Sequence, residues 1–252
     1  MRHLLILLAL ILTIVGLVWL RGVVLSWHYV VSGEPGDLLY AATFDDFNDE
    51  WEQYRGILES QIAEGMLKLT TEEVNRSFYS LAEPYFADFD LTIEARMTGG
   101  DAFNGYGVVF RLQDPDNYYQ FLVSGDGYYA LFRKVDGSQT TLHEWKESSA
   151  IEQGFDANNR IRVIASGNKF HFYINDQQVD LCVPDFAAGQ TQSTYNAGGA
   201  CMGLTVDTIV DNSLSDGRLG PSVYTFREYP GVEAAFDNIV VVAPQPILEN
   251  VE

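Results

Sequence analysis

Apolar and polar residues alternate in short runs along the chain from residue 40 onward, and no long stretch repeats its apolar positions at helical spacing. β-branched and aromatic residues are frequent in these runs, which is typical of strands. Turn sequences such as DPDN, SGDG and VDGS separate them. A dozen short strands with tight connections predict an all-β fold, either one antiparallel sandwich or a barrel. The runs read GMLKLTT, RSFYSLA, FDLTIEARM, YGVVFRL, YYQFLVS, YYALFRKV, NRIRVIAS, KFHFYIN, QQVDLCV, CMGLTV, SVYTFRE and FDNIVVV.

The segment NYYQFLVSGDGYYALF, residues 117–132, contains two Tyr–Tyr pairs on either side of a turn. Neighbouring side chains on a strand point to opposite faces, so one tyrosine of each pair should be buried. A two-residue turn at Gly125–Asp126 then places Tyr119 and Tyr128 in the core. The tyrosines expected to face outward are Tyr118 and Tyr129.

The preceding turn, QDPD, extends the same core face to a third strand. It sets Leu112 against Asn117, and Phe110 then falls on the core face. A slip of one residue in either hairpin would bury Arg111 or Arg133, and burial of an unpaired charge is strongly unfavourable. Both hairpins therefore predict the same inner face.

The outward face of these three strands is predicted to carry aromatic rings beside planar hydrogen-bonding groups. Sugar rings stack on aromatic side chains, and their hydroxyls bond to amides and guanidinium groups. The alternative is an ordinary exposed sheet face, or one that a long loop covers. The candidate ligand-binding residues are Arg111, Tyr118, Gln120, Tyr129 and Arg133.

An uncharged apolar run from Leu4 to Leu20 follows Arg2 near the amino terminus. Its length is near the lower limit for crossing a bilayer. The next small-residue cleavage site, around residues 32–33, lies well beyond this run. We therefore expect an uncleaved signal anchor with one transmembrane helix, and a cleaved signal peptide is the alternative. The predicted organisation is an anchor at 1–31, a linker at 32–39, the sandwich at 40–243 and a tail at 244–252.

The chain carries a formal net charge of -20, from 35 acidic and 15 basic residues. Such a surface repels nucleic acid and anionic lipid, which argues against a nucleic-acid partner, and it attracts divalent cations. A signal anchor would hold this acidic domain on the extracytoplasmic side of the cell membrane. Arg21, just after the apolar run, is a minor argument for the opposite orientation.

Cys182 and Cys201 are the two cysteines of the chain, and they lack the spacing of a metal site. Outside the cytoplasm we expect them to form a disulfide. Two buried free thiols are the alternative.

Longer patterns resemble a known superfamily. The segment NGYGVVFRLQDPDNYYQFLVSGDGYYALFRKVDG, with LHEWKESSAI, NNRIRVIASGNKFHFYINDQQV and the closing AAFDNIVVV, is similar to the concanavalin A-like lectin/glucanase superfamily. The likeness is to its bacterial laminin-G-like and 3-keto-disaccharide-hydrolase-like (DUF1080) branch, and an opening FDDF fits it as well. The resemblance implies a two-sheet antiparallel jelly-roll sandwich whose first and last strands lie side by side. Two segments, 182–201 and 207–222, are longer than the family's usual connections and could cover or build a site.

Catalytic motifs of this superfamily are not found in the sequence. Its retaining glucanases carry Glu-x-Asp-x-x-Glu on one strand, which places two carboxylates across the scissile bond. Here Glu94 stands alone, and Glu144 and Glu147 have the wrong spacing. His171 alternates with phenylalanines and is interpreted as a surface strand residue. Carboxylates from separate strands could still meet, so a glycoside-cleaving enzyme stays open.

Oxygen-bearing residues at the two ends of the domain form a candidate calcium site. If the first and last strands are neighbours, these side chains converge, and oxygen ligands are those that Ca²⁺ prefers. By resemblance, related carbohydrate-binding sandwiches hold a structural calcium ion there. The alternative is that Asp45 and Asp237 cap strand ends. The candidate ligands are Asp45, Asp46, Asp237 and Asn238.

The sequence thus predicts a membrane-anchored, extracytoplasmic β-sandwich that binds carbohydrate or a protein partner without catalysing a reaction. One alternative is a glycoside-cleaving enzyme of the 3-keto-disaccharide hydrolase type. The other is a structural subunit of a membrane complex, in which the aromatic face contacts other proteins.

Overall fold

A computed structural model describes residues 12–13, 15–16, 29–45, 51, 53–190 and 195–246. The chain divides into two compact units, 1–30 and 31–252. In the first unit the described residues 12–13 and 15–16 are helical. Most of the predicted anchor lies outside the described residues, and no helix among those described is long and apolar enough to cross a bilayer.

The second unit is all-β, as the sequence predicts. Among its described residues the one helical element is a 3₁₀ turn at Phe186–Ala188. The strands in chain order are β1 (Val30–Val31), β2 (Leu38–Ala42), β3 (Leu58–Ala63), β4 (Met66–Thr71), β5 (Arg76–Tyr79), β6 (Tyr85–Phe86), β7 (Phe89–Gly100), β8 (Gly105–Asp114), β9 (Asn117–Ser124), β10 (Tyr128–Val135), β11 (Ser138–Glu147), β12 (Asn159–Ser166), β13 (Lys169–Ile174), β14 (Gln177–Gln178), β15 (Leu181–Val183), β16 (Leu204–Val206), β17 (Ile209–Val210), β18 (Arg218–Thr225) and β19 (Val232–Val242).

Two antiparallel sheets form the sandwich. The larger sheet has the order β14-β13-β12-β7-β19-β4-β3, with β2 also beside β19 and β17 beside β13. The smaller sheet has the order β11-β10-β9-β8-β18-β5. Ile239 of β19 pairs with Ala42 of β2, so the first and last strands of the sandwich are neighbours. This confirms the relationship that the family resemblance implies.

The core lies between the inner faces of the two sheets. Aromatic side chains from both sheets meet there: the rings of Phe121 and Phe172 lie 4.8 Å apart, and Phe110 stacks on Tyr119 at 5.2 Å. Each such side chain contributes roughly 1.5–3 kcal/mol through burial. The alternation that identified the strands in the sequence is the alternation between this core and the outer faces.

Candidate functional site

The β9–β10 hairpin has a three-residue turn rather than the predicted two-residue turn. Tyr129 pairs with Val123, one position away from the predicted register. Gly127 has a φ of +94°, and its N–H donates to the carbonyl of Ser124 at 3.1 Å. A type I turn followed by a left-handed residue is a common way to close a three-residue hairpin. The slip exchanges the predicted faces of β10.

Tyr129 is therefore buried, and its predicted outward position is wrong. Its ring stacks on His143 with centroids 4.6 Å apart, and its hydroxyl donates to the carbonyl of Asp180 at 2.5 Å. Tyr128 takes the outer face instead and is half-buried. Tyr119 is buried, as predicted.

Arg111 is also buried rather than outward, with 2% of its surface exposed. The β8–β9 pairing holds at Phe110–Tyr119, as predicted, but then shifts, so that Asp114 rather than Leu112 faces Asn117. Within this irregular stretch Arg111 has a left-handed φ of +48°, which turns its side chain into the end of the sandwich. There its guanidinium donates to the carbonyls of Ala87, Gly167 and Leu214 and lies over the ring of Phe170.

Arg133 lies on the inner side of its sheet at the same end, not on the outer face. Its Nη1 bonds to Asp211 at 2.5 Å, and Tyr119 donates its hydroxyl to the other oxygen of that carboxylate at 2.7 Å. Asp211 and Leu214 lie between β17 and β18, within the segment 207–222 that the sequence marks as unusually long. The residues between these strands cover the end of the core: Asp211 bonds to Arg133, and the carbonyl of Leu214 is one of three that accept from Arg111.

Tyr118 and Gln120 do lie on the outer face, as predicted, but both are nearly covered. The carboxamide of Gln120 accepts a bond from Ser77 at 3.0 Å and donates to Ser222 at 3.2 Å. These contacts tie β9 to β5 and β18 across the face. The ring of Tyr118 packs edge-on against Tyr79 with centroids 6.1 Å apart.

A groove of about 740 Å³ opens over Tyr118 on this outer face. We call it the polar groove because tyrosine, amide and cationic side chains surround it. No Asp or Glu lines it among the residues that the structure describes. Its lining includes Asn75, Arg76, Tyr79, Tyr118, Lys134 and Gln139.

The phenol of Tyr79 and the ammonium of Lys134, which pairs with Asp116, are two of the polar groups in the polar groove. Burial raises the pKa of Tyr79 to about 12, and nearby Tyr118 and two aspartates add to the rise. The phenol therefore stays neutral and can donate a hydrogen bond at any ordinary pH. The Nζ of Lys134 lies 5.8 Å from the centroid of Tyr118 and bonds to the carbonyl of Pro115 at 2.8 Å.

Two smaller cavities continue along the outer face toward the other end of β9 and β10. The middle cavity, of about 370 Å³, is lined by Phe132, Thr141, Glu144, Trp145, Tyr224 and Phe226. The aromatic cavity, of about 290 Å³, is lined by Phe103, Ser124, Asp126, Tyr128, Trp145, Phe226 and Tyr229.

Sequence reasoning missed most residues of this face, because it considered only β8, β9 and β10. Tyr79 is on β5 and Tyr224 on β18, strands whose places in the sheet depend on long-range pairing. A local signal did exist for β18. In SVYTFRE, Tyr224 and Phe226 recur at a spacing of two with Ser222, which places all three on one face.

The structure describes three of the four predicted metal ligands. Asp46 lies outside the described residues, and Asp45, Asp237 and Asn238 lie within them. The Nδ2 of Asn238 donates to Glu94 at 3.2 Å, and its backbone N–H donates to Asp237 at 2.7 Å. Among the described residues no group of three or more His, Cys, Asp or Glu could hold a metal ion. Calcium binding therefore stays a prediction.

The domain also contains two buried histidines, His143 and His171, and a disulfide. Burial lowers the pKa of His143 to about 3. His171 is buried too, so its predicted surface position is wrong, and its Nδ1 lies 3.3 Å from the hydroxyl of Thr208. Cys182 and Cys201 form a disulfide, which confirms that prediction.

Residues 40–200 match the family described as the 3-keto-alpha-glucoside-1,2-lyase-like domain. No curated protein matches the chain. Many solved structures have similar folds, and three of them are compared with this chain. The carbohydrate-binding module CBM66 from Bacillus subtilis has a TM-score of 0.51 and 18% identity, over 75% of this chain and 93% of that one.

A second structure, a Bacillus subtilis protein of unknown function with a galectin-like fold, has a TM-score of 0.55 and 14% identity, over 83% of this chain and 97% of that one. A GH43 protein of Bacillus licheniformis, BlXynB, has a TM-score of 0.53 and 13% identity, over 81% of this chain and 39% of that one. Identities this low show the fold alone, which is the concanavalin A-like sandwich.

Proposed function

This chain belongs to the 3-keto-alpha-glucoside-1,2-lyase-like domain family, and from that premise we propose that it binds carbohydrate on the outer face of its six-stranded sheet without cleaving it. The fold is a sandwich of the kind found in carbohydrate-binding modules and glycoside hydrolases. The proposal that it binds sugar without cleaving it is drawn from the polar groove.

The observation that carries the proposal is the chemistry of the polar groove. Asn75 and Gln139 offer amides that can both donate to and accept from sugar hydroxyls, and Arg76 offers a planar donor group. The half-buried rings of Tyr79 and Tyr224 supply aromatic surface for the CH face of a sugar ring. This is the combination that the sequence led us to expect, assembled largely from different residues.

The same lining favours binding over cleavage. Glycosidases of the common mechanisms place two carboxylates on either side of the scissile bond. No carboxylate lines the described part of the polar groove. A lyase or hydrolase acting on a 3-keto-glucoside is the second candidate, which the family description favours.

We also propose that the domain is held on the extracytoplasmic side of a membrane. The uncharged run from Leu4 to Leu20 supports an anchor. The disulfide between Cys182 and Cys201 supports an oxidising compartment. Amino-terminal sequencing of the membrane-bound protein should find residue 1 or 2, and a start near residue 33 would show a cleaved signal peptide instead.

A glycan array followed by calorimetry on each hit tests the binding proposal. Asn75→Ala and Gln139→Ala should each weaken binding about three- to tenfold, the effect of one neutral hydrogen bond. Gln177, exposed on β14 of the other sheet, offers the matched control Gln177→Ala, which should bind normally. Unchanged affinity in both groove variants would remove the polar groove from the function.

Mass analysis of the bound sugars, together with a 3-keto-α-glucoside as substrate, tests the absence of catalysis. Intact sugars after prolonged incubation agree with a binding module. Release of a cleaved product, lost in the groove variants, would establish the enzyme instead.

A further inference from the structure

The aromatic cavity differs in chemistry from the polar groove on the same face. Five of its seven lining side chains are aromatic: Phe103, Tyr128, Trp145, Phe226 and Tyr229. Phe103 is 49% exposed at the rim, although large apolar side chains are usually covered. The cavity therefore presents parts of several aromatic rings to solvent.

The two other side chains of the aromatic cavity are already bonded to each other. The hydroxyl of Ser124 donates to Asp126 at 2.5 Å and accepts from the backbone N–H of Tyr128 at 3.1 Å. The amides and cations that surround the polar groove have no counterpart in the described lining here. An apolar group fits this cavity better than a second sugar, whose hydroxyls need several partners.

The aromatic cavity and the polar groove each share lining residues with the middle cavity. Tyr224 lines both the polar groove and the middle cavity. Trp145 and Phe226 line both the middle cavity and the aromatic cavity. The three cavities therefore follow one another along the outer face.

The rings along this path support one another. Tyr224 contacts Phe226 at 5.1 Å between centroids, Phe226 contacts Trp145 at 5.7 Å, and Phe103 contacts Tyr229 at 4.8 Å. Gly105 lies beneath Trp145, and a Cβ there would come within 3.0 Å of its Cη2. The missing side chain lets the indole lie close against the sheet. The aromatic surface is thus preformed, which favours binding.

We infer that the ligand of this face is an amphiphilic glycoside, whose sugar occupies the polar groove and whose apolar aglycone extends through the middle cavity into the aromatic cavity. The inference rests on the proposed function and adds the class of ligand to it. The aglycone contributes affinity through burial of apolar surface, and the sugar contributes orientation through its hydroxyls.

The test compares glucosides that differ only in the aglycone, because the family description names an α-glucoside. The probes are methyl, phenyl and 4-methylumbelliferyl α-glucoside, with maltose as a sugar-only extension. Binding is measured by calorimetry on the full chain in lipid nanodiscs, since alkyl glycoside detergents would themselves compete. The 4-methylumbelliferyl glucoside should bind at least about tenfold more tightly than the methyl glucoside, as burial of a bicyclic aromatic group requires.

Phe103→Ala and Trp145→Ala should remove this gain and leave the affinity for methyl α-glucoside within about twofold. Phe155 is a matched control: it is 51% exposed, close to the 49% of Phe103, and does not line the cavity. Phe155→Ala should change neither affinity.

The failures of the two proposals can be told apart. If methyl α-glucoside binds in the polar groove and the aryl glucosides bind no more tightly, the amphiphilic ligand alone is overturned. Maltose could instead bind more tightly than methyl α-glucoside by as much as the aryl glucosides do, with Phe103→Ala removing that difference. This result would assign the aromatic cavity to a second sugar and would also overturn the amphiphilic ligand. If none of the four probes binds, both proposals are contradicted for α-glucosides.

Discussion

Tyr129 and His143 stack inside the sandwich, with ring centroids 4.6 Å apart and planes inclined by 21°. His143 is fully buried, and its Nδ1 accepts the backbone N–H of Cys182 at 2.8 Å. The ring contact lies within the β10–β11 pair, and this hydrogen bond joins the pair to the segment that carries the disulfide. The neutral imidazole is the form that can accept this bond.

We expect His143 to make the fold sensitive to acid. Burial lowers its native pKa to about 3 from the ordinary value of 6.5. The unfolded chain therefore binds the proton first, and stability is lost as the pH falls from 6.5 toward 3, by up to about 1.4 kcal/mol per pH unit. Thermal unfolding at pH 7, 6, 5 and 4 measures the loss. His143→Phe should lower the melting temperature at pH 7, because Cys182 loses its acceptor, but should flatten the dependence on pH. Parallel curves for the two proteins would contradict the assignment.

Replacement of single tyrosines in the β9–β10 hairpin measures its register. Tyr129→Ala should lower the free energy of unfolding by roughly 3–5 kcal/mol, as for other large core deletions. Tyr128→Ala, its neighbour on the outer face, should lower it by about 1 kcal/mol. Urea unfolding monitored by circular dichroism gives both values. A larger loss of stability in Tyr128→Ala than in Tyr129→Ala would instead support the predicted two-residue turn.

The turn shows why sequence could predict the strands but not every face. Alternation placed Tyr119 and Phe110 correctly, because the β8–β9 pairing keeps the predicted register at these two residues. SGDG fits a two-residue and a three-residue turn equally well, since glycine occupies both Gly125 and Gly127. The register was decided by the argument that neither Arg111 nor Arg133 can be buried. That argument failed because their partners come from distant loops.

The outer face was predictable only within consecutive hairpins. Tyr118 and Gln120 follow from local alternation. The polar groove also needs β18, which lies beside β8, and β5, which lies on the other side of β18, although both are far from β8 and β9 in sequence. The family resemblance gave the architecture and the neighbouring terminal strands, but an architecture does not say which side chains meet.

Arg111 should be essential to the end of the sandwich and irrelevant to ligand binding. Arg111→Ala leaves the carbonyls of Ala87, Gly167 and Leu214 without their donors, and a loss of roughly 3 kcal/mol is expected. Arg111→Lys should recover less than half of this, because one ammonium cannot reproduce the planar fork. Urea unfolding measures stability, and calorimetry checks that glycan affinity is unchanged where the variant is folded. A fully stable Arg111→Lys would mean that charge alone suffices.

The disulfide should stabilise the domain independently of the polar groove. Cys182 and Cys201 are 19 positions apart, and closure of a loop of this size contributes about 3 kcal/mol in the chain-entropy model. The double variant Cys182→Ser/Cys201→Ser should lose that amount, and reducing agent should no longer affect its melting temperature. Gln139→Ala, with the disulfide intact, is the control that keeps full sensitivity to reductant. An equally stable double variant would show that packing alone holds segment 182–201.

Asp237 gives the sharpest test of the predicted calcium site. Burial raises the pKa of Asp237, and the nearby carboxylates of Asp45 and Glu94 raise it further. The native state therefore binds the proton more readily than the unfolded chain, and stability falls as the pH rises above the ordinary pKa of 3.8. In chelator at pH 7, Asp237→Asn should melt roughly 2–4 °C higher than the unchanged protein. The gain is small because water screens a half-exposed carboxylate, and it should vanish below pH 3.8.

Calcium should reverse this order if Asp45, Asp46, Asp237 and Asn238 bind it. At a hundredfold excess over its dissociation constant, an ion that binds only the native state contributes about 2.7 kcal/mol. The unchanged protein should then gain several degrees, and Asp237→Asn should gain almost none. Glu233→Gln, a neutralised carboxylate elsewhere on β19, is the control and should respond to calcium like the unchanged protein. Equal melting temperatures in calcium and chelator for the unchanged protein would rule out a tight site and leave Asp237 as a source of repulsion alone.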